Sequence, residues 1–314
     1  MSDPRNLRKR LAHARPAPAS CGEPGLPDIE ELRRKMGLLR EMHRPKIKEV
    51  RYRRDLPRHS APPTPARHLR GEPLRLEEAA PGVEAAAPTG GAAYLVKGAI
   101  DGLPELGGAD EARRLCRRLA ETLDGRGLAE PLARQCSLEG VRPEEVVFLD
   151  LETTGLGPSA LFLVGSMVFK DGRLVLRQYL ARDYAEEAAA ISLFLADAAE
   201  RPVLVTFNGK SFDLPQLRMR AAATGVPFDY APAHLDLLHA CRRVWKKVLP
   251  DCKLQTLESR VCGRARHGDI PGCEIPEAYH AFVRTSDAAE IAEILKHNAL
   301  DLVTLADLMG RLPR

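Results

Sequence analysis

The sequence lacks the features of a membrane protein and of a disulfide-stabilised one. No run of about eighteen apolar residues occurs, which excludes an ordinary membrane-spanning helix. The basic start of the chain has no apolar stretch behind it, so we expect no secretory signal. The seven cysteines are odd in number and scattered, without a C-x-x-C pair, which argues against a disulfide framework and a structural zinc site. We therefore expect a cytoplasmic protein with reduced thiols and no membrane partner.

Several catalytic signatures are also missing. The chain contains no G-x-G-x-x-G or P-loop sequence, no H-E-x-x-H and no G-x-S-x-G nucleophile elbow. Hydrophobic residues make up 44% of the chain and charged residues 29%, so a buried core can form and disorder over the full length is not expected.

Positive charge is concentrated at the N-terminus. Residues 1–75 hold nineteen Lys and Arg against nine Asp and Glu, a net charge of +10, whereas the whole chain carries +4 and the remainder therefore −6. This segment is also rich in proline, so we expect a mostly disordered basic tail with a candidate helix over 28–43, capped by Asp28. Two interpretations stay open: a solvated tail with a partner-docking helix, or an electrostatic arm that holds nucleic acid loosely.

Residues 76–143 show no visible chemistry. The stretch is rich in Ala and Gly, with one short strand predicted near 94–96 and an amphipathic helix predicted over 109–124 from Leu115, Leu119 and Leu123. We interpret this region as a connector or small adaptor.

From residue 144 to 312 the pattern changes to short apolar strands and helices. The segments EVVFLDL, ALFLVGSMVFK and RLVLRQYLA predict three strands, the last two joined by an Asp171-Gly172 hairpin turn. Next come a helix over 184–200, the strand PVLVTF, a helix over 211–225, a short strand near 234–237, and helices near 238–247, 253–262, 276–284 and 287–311. A hairpin followed by strand–helix crossovers predicts an α/β fold, a mixed sheet with helices on both faces.

Two segments place carboxylates at the ends of predicted strands. In FLDLETTGLG, Asp150 and Glu152 project from the same face of a strand. Their repulsion would raise a pKa or require a cation, and Mg²⁺ or Mn²⁺ suits such oxygen ligands, unless Glu152 lies beyond the strand in solvent. In TFNGKSFDLPQL, Asp213 falls in the first turn of a helix, where it is either a cap or part of a ligand site at the strand edge.

Polar residues also interrupt the apolar stripe of the last predicted helix. His297, Asn298 and Asp301 lie in its middle, and His297 and Asp301 are neighbours at i and i+4. A lone buried histidine is usually a satisfied core residue, but beside an acid it is a candidate general base. Four carboxylates and one histidine on three elements suggest a two-metal site, as phosphodiester hydrolysis requires.

The same segments resemble a known family. FLDLETTGLG is similar to the first motif (D-x-E) of the DnaQ-like, or DEDD, 3′–5′ exonucleases of the ribonuclease H-like superfamily, and FNGKSFD and HNALDLVTL resemble the second and third motifs. CKLQTLESRVCGRARHGDIPGCEIPEAYHAF and HLDLLHACRRVW are similar to the YprB-type branch. The resemblance covers about residues 144–311 and implies a ribonuclease H-like sheet of five strands, one of them antiparallel.

The resemblance implies a 3′–5′ exonuclease with two Mg²⁺ or Mn²⁺ ions, acting on DNA or RNA at a single-stranded 3′ end. Asp150, Glu152 and Asp301 would hold the metal that activates the nucleophile, with Asp150 shared to the second metal. Asp213 would complete the set, and His297 would orient or deprotonate the attacking water. The rival interpretation is a non-catalytic nucleic-acid-binding or scaffold protein on the same fold.

The resemblance also implies substrate contacts. Thr154, Gly155 and Leu156 would lie against the terminal nucleotide, and Asn208 and Lys210 near its sugar or phosphates, although Lys210 can equally be an exposed loop lysine.

One departure from the family concerns the histidine. Its histidine base stands five residues before the last Asp and its tyrosine four, whereas His297 stands four before Asp301. This spacing keeps the same helix face but leaves the reach of the imidazole open. For Asp236 and Asp269 we expect buried hydrogen-bonding roles.

Overall fold

In the computed structural model, the described residues form one sheet with helices on both faces. The structure describes residues 73–123, 132, 135, 141–155 and 157–312. The candidate helix over 28–43 and nearly all of the predicted tail lie outside these residues.

The strands are β1 (Val83–Ala86), β2 (Ala92–Ala99), β3 (Val146–Thr153), β4 (Leu161–Lys170), β5 (Arg173–Leu180), β6 (Val203–Thr206) and β7 (Ala233–Asp236). The helices are α1 (Leu76–Ala79), α2 (Ala109–Leu123), α3 (Glu187–Ala198), α4 (Asp213–Thr224), α5 (Leu237–Trp245), α6 (Leu254–Leu257), α7 (Ile275–Thr285) and α8 (Ala289–Arg311). A π-helical turn, Glu258–Cys262, follows α6 directly. Within the described ranges, no helix is both long and apolar enough to cross a membrane.

The strand order is β1-β2-β5-β4-β3-β6-β7. β3, β6 and β7 are parallel neighbours, and β4 is antiparallel to both β3 and β5. From β3 to β7 the sheet therefore has one antiparallel strand, and the predicted mixed α/β class is confirmed.

The predicted number of five strands is wrong, because β1 and β2 extend the sheet beyond β5 to seven strands among the described residues. β2 contains the strand predicted near 94–96, and its Tyr94 pairs with Leu180 of β5. β1 is an edge strand whose residues are mostly exposed, so its sequence VEAA has no buried face and no alternating pattern. Residues of the expected connector thus contribute to the main sheet.

Two apolar clusters cover the two faces of the sheet. Val147 and Leu149 belong to one cluster, and Val146 and Phe148 to the other, as the alternation along β3 requires. The long helix α8 contributes to both: its first half, with Ile291, packs in the cluster of Leu149, and its second half packs in the cluster of Phe148. The polar interruption of α8 lies where the helix passes from one cluster to the other.

Candidate active site

Strand β3 carries Asp150 and Glu152 on one face. The strand continues to Thr153, so Glu152 lies within the strand and not beyond its end. Both residues are partly buried, and Asp150 stands opposite Gly165 of β4. The predicted alternation therefore brings the two carboxylates to the same face of the sheet.

Asp213 is the first residue of α4 and is 5% exposed. The turn before it begins at Asn208, whose backbone is left-handed with φ 66°. The carboxylate of Asp236 holds this turn: Oδ1 accepts the N–H of Asn208 at 2.8 Å, and Oδ2 accepts the N–H of Lys210 at 3.2 Å. Asp236 is fully buried, which fits its expected hydrogen-bonding role.

The carboxylates of Asp150, Glu152, Asp213 and Asp301, here called the acid site, repel one another. Burial raises the pKa of Asp150 well above its usual range, and Asp301, Glu152 and Asp213 raise it further. Burial likewise raises the pKa of Glu152, reinforced by Asp301 and Asp213. For Asp213, burial raises the pKa to about 7, with Asp236 and Asp301 adding to the effect against hydrogen bonds from the backbone. The fold therefore brings the four predicted acids close enough for their charges to contribute to the raised pKa values of Asp150, Glu152 and Asp213.

Asn298 of α8 fixes the carboxylate of Asp150. Its Nδ2 donates to Asp150 Oδ2 at 2.8 Å, and its Oδ1 accepts from Gln178 Nε2 at 3.0 Å. Gln178 also donates to the carbonyl of Leu295 at 2.7 Å. A Cβ at Gly165 would overlap the amide of Asn298, so only glycine leaves the space that this contact needs.

Arg266 lies among the acids as an internal cation. Its guanidinium donates to Asp301, to Glu258, and to Asp269 Oδ2 at 3.2 Å, and its side chain is 7% exposed. Burial acts to lower the pKa of Arg266, but Asp301 and Glu258 outweigh it and raise the pKa above its usual value. Arg266 was not predicted as a site residue, because nothing in the local pattern CGRARHGD indicates which acids it meets.

His297 is held between two acids. Its Nδ1 lies 2.9 Å from Asp269 Oδ1, and its Nε2 lies 3.6 Å from Asp301 Oδ2. A proton on Nδ1, donated to Asp269, would leave Nε2 as the basic nitrogen on the side of Asp301. The structure thus assigns Asp269 a specific hydrogen-bond partner.

Four of the five expected substrate residues are described, and they lie on two loops. Thr154 donates its backbone N–H to the carbonyl of Ala160 at 2.9 Å, and Gly155 has φ 156°. Leu156 lies outside the described residues. On the other loop, Asn208 and Lys210 are exposed, and Nζ of Lys210 donates to Gln135 Oε1 at 2.8 Å.

The donor chemistry of the acid site fits a divalent cation, but the side chains are not gathered around one position. Over the ranges that the structure describes, no group of three or more His, Cys, Asp or Glu side chains is arranged as a ready set of metal ligands. Asp301 is turned toward Arg266 and Asp150 toward Asn298. Four repelling acids beside one guanidinium leave an excess of negative charge, which a divalent cation bound by these oxygens would balance.

Comparison with known proteins places these features in a family. The uncharacterized protein YprB of Bacillus subtilis (strain 168) is 33% identical over 182 residues, which cover 56% of this chain and 44% of the relative. The chain therefore spans less than half the length of that relative. Among solved structures, the family B DNA polymerase from the hyperthermophilic archaeon Pyrobaculum calidifontis matches with 20% identity and a TM-score of 0.43, over 52% of this chain and 24% of the polymerase.

The family model RNase_H_2, described as RNase_H superfamily, matches residues 147–313. This range covers more than half of the chain and contains all four residues of the acid site. The predicted relationship to YprB-type proteins with a ribonuclease H-like fold is thereby confirmed, and the chain belongs to the RNase_H superfamily.

Proposed function

We propose that the protein is a divalent-metal-dependent nuclease, most simply a 3′–5′ exonuclease with a two-metal mechanism. The observation that carries this proposal is the cluster of Asp150, Glu152, Asp213 and Asp301, in which burial first and the charges of neighbouring acids second raise the pKa values of the first three. Buried acids with no matching cations are costly for a fold, and hard oxygen donors in this number suit Mg²⁺ or Mn²⁺. Membership of the RNase_H superfamily supports the same class of reaction.

The acid site would hold two cations, with Asp150, Glu152 and Asp301 around the first, Asp150 shared to the second and Asp213 completing the set. When bound, such ions activate a water and stabilise the leaving oxygen of a phosphodiester. Without them the carboxylates would repel the phosphates of any substrate, so we expect no metal-independent hydrolysis.

The surrounding residues of this chain would position the reacting groups. Asn298 fixes one oxygen of Asp150, so the carboxylate presents its other oxygen in one orientation. Asp269 holds the ring of His297, which would orient the water or accept its proton at Nε2. The four-residue spacing keeps His297 and Asp301 on one helix face, with Nε2 and Oδ2 3.6 Å apart.

A nucleic acid strand with a free 3′ end is the substrate that we propose. Thr154, Gly155 and Leu156 would contact its terminal nucleotide, and Asn208 and Lys210 its sugar or phosphates. DNA and RNA differ by the 2′-hydroxyl, so strands of both sugars belong in the test.

The test is incubation of the purified chain with end-labelled DNA and RNA strands in Mn²⁺, Mg²⁺ or EDTA. We expect stepwise shortening from the 3′ end in Mn²⁺ or Mg²⁺ and none in EDTA. Asp150→Asn should reduce hydrolysis by more than about 100-fold. Loss of a residue that only hydrogen-bonds to a metal ligand usually reduces activity by ~10–100-fold, so a larger loss indicates a direct ligand. Asp229→Asn changes an exposed acid and is the matched control with unchanged activity.

The folded state of Asp150→Asn is checked by thermal melting in EDTA. Because the ionised carboxylate of Asp150 is disfavoured by burial and by its neighbours, the variant should melt no lower than the wild type. Unchanged hydrolysis by a folded Asp150→Asn protein would disprove the proposal.

The alternative function is a non-catalytic nucleic-acid-binding or scaffold protein on the same fold. Melting with and without Mn²⁺ separates the two. A working site should gain about 2.7 kcal/mol of unfolding free energy at a Mn²⁺ concentration ~100 times its Kd. The non-catalytic alternative predicts no Mn²⁺-dependent gain.

A further inference from the structure

Arg266 contacts the acid site with one of its three guanidinium nitrogens. Nε donates to Glu258, which lies in the π-helical turn after α6, and Nη1 donates to Asp269 Oδ2 at 3.2 Å. Nη2 donates to Asp301, and of these three acceptors only Asp301 belongs to the acid site. Two acids outside the acid site therefore hold the guanidinium, and its third nitrogen is directed at a carboxylate of the acid site.

The two outer acceptors are themselves held in place. Glu258 is buried and also accepts from Nε of Arg264 at 3.2 Å. Asp269 Oδ1 lies 2.9 Å from Nδ1 of His297. A planar guanidinium that is bound at both Nε and Nη1 has little freedom to turn, so Arg266 keeps its position whether or not the third acceptor is available.

A ligand has room beside this guanidinium. Arg266 and Asp269 line a cavity of about 540 Å³ between α6, with its π-helical turn, and the segment 264–271. This volume is in the range of small-ligand sites, about 300–1,000 Å³. The arginines that line the cavity, Arg264 and Arg266, are paired with the acids that line it, Glu258 and Asp269. The cavity therefore offers access to Arg266 rather than an excess of positive charge.

Binding of a cation by Asp301 would deprive Nη2 of its acceptor. A buried N–H group without an acceptor is costly, and a phosphate at the acid site brings anionic oxygens that suit a guanidinium. We infer that, in this state, Nη2 of Arg266 donates to a non-bridging oxygen of the phosphate that the acid site hydrolyses. The inference rests on the proposed function for the identity of that phosphate.

Arg266 would thereby bind and orient the phosphate and compensate part of its charge while water adds to phosphorus. The bond from phosphorus to the 3′ oxygen of the preceding nucleotide breaks, and that oxygen takes up a proton. The last nucleotide then leaves as a nucleoside 5′-monophosphate, which carries the phosphate that Arg266 contacts. This product is a probe of the contact, because the bond in question is already broken.

The test is isothermal titration calorimetry of the full chain in saturating Mn²⁺ with adenosine 5′-monophosphate, its 2′-deoxy form and adenosine. The wild type should bind the monophosphates more tightly than adenosine. Arg266→Gln should lose about tenfold to a hundredfold of its monophosphate affinity, as expected for a hydrogen bond between charged groups, and keep its affinity for adenosine. The same variant should bind Mn²⁺ more tightly, because Asp301 no longer pairs with Arg266. A merely structural role would not move the two affinities in opposite directions.

Arg264→Gln is the matched control. Arg264 and Arg266 are each 7% exposed, share Glu258 as an acceptor and line the same cavity, but the second acid of Arg264 is Asp307 and not Asp301. This variant should keep the wild-type affinity for the monophosphates. Arg266→Lys keeps a positive charge beside Glu258 without the fork of donors, so its monophosphate affinity should lie between those of the wild type and Arg266→Gln.

Unchanged monophosphate affinity in Arg266→Gln would overturn the inference, and so would an equal loss in Arg264→Gln or an equal loss of adenosine binding in Arg266→Gln. If Arg266→Gln does not fold, unchanged affinity in Arg266→Lys overturns it instead. Failure of the proposed function is seen separately. A wild-type chain that binds the monophosphates through Arg266 but shortens no strand in Mn²⁺ would keep the phosphate contact and lose the nuclease.

Discussion

Substitution of Gly165 by alanine tests the geometry of the acid site without touching an acid. Gly165 lies in β4 opposite Asp150, and the nearest atoms to an added Cβ all belong to the side-chain amide of Asn298. Asn298 is fully buried on α8. The added methyl group would therefore displace this amide from the space between β4 and Asp150.

The expected cost follows from two hydrogen bonds. Asn298 donates to the carboxylate of Asp150 at 2.8 Å and accepts from Gln178 at 3.0 Å. A bond to a charged group contributes about 1.5–3 kcal/mol and a neutral one about 0.5–1.5 kcal/mol, so Gly165→Ala should lower the unfolding free energy by about 2–4.5 kcal/mol. At ~2–4 °C per kcal/mol for a domain of this size, the melting temperature should fall by about 5–15 °C.

The assay is thermal unfolding followed by circular dichroism in EDTA. Gly98→Ala in β2 is the matched control, because no heavy atom lies within 4 Å of a Cβ built at that glycine. Adding Gly165→Ala to an Asn298→Ala protein should cost much less than adding it to the wild type, since the displaced amide is already absent. Equal melting temperatures for Gly165→Ala and Gly98→Ala would refute the reasoning.

Two further substitutions probe the charges around the acid site. Arg266→Gln should lower the melting temperature in EDTA, because Glu258 loses a buried partner at a cost of about 3–5 kcal/mol. The same variant should raise the apparent affinity for Mn²⁺ severalfold, because Asp301 no longer forms an ion pair with Arg266. Arg264→Gln is the control, because it also deprives Glu258 of a partner but touches no residue of the acid site. If melting titrations give the two variants the same Mn²⁺ midpoint, the expected gain in Mn²⁺ affinity of Arg266→Gln is contradicted. Burial and the charge of a nearby lysine lower the pKa of His234 to about 4, below the ordinary value of 6.5, so the unfolded chain binds the extra proton first as pH falls. The unfolding free energy of the wild type should therefore drop relative to that of His234→Asn between pH ~6.5 and ~4. If the plots of unfolding free energy against pH stay parallel for the two proteins over that interval, the lowered pKa of His234 is excluded.

Short-range patterns predicted the elements that carry the acids. Alternation along FLDLE placed Asp150 and Glu152 on one face, and helical spacing placed His297 and Asp301 together, because both periodicities follow directly from backbone geometry. Edge strand β1 was not predicted, since an exposed strand has no apolar alternation to reveal it.

The partners of the acids could not be predicted in the same way. Arg266 meets Asp301 across 35 residues of sequence, and Asn298 meets Asp150 across 148. Periodicity reports which side of an element is buried, but not which distant side chain fills the space beside it. Gly165 had a weak signal, as a glycine inside the apolar strand ALFLVGSMVFK, where a close approach of another group is a common reason for glycine.

The position of the polar interruption in α8 explains how one helix can serve both stability and chemistry. Its two halves pack in apolar clusters on opposite faces of the sheet; His297 and Asn298 lie between the two clusters, and Asp301 lies at the start of the second half. Apolar residues there would remove repelling charges, and replacement of buried ion networks by hydrocarbon is often neutral or stabilising. A chain selected for stability alone would gain nothing from keeping four acids that repel one another. Their presence beside Arg266, a cation already shared among Asp301, Asp269 and Glu258, supports a function in which external cations complete the charge balance.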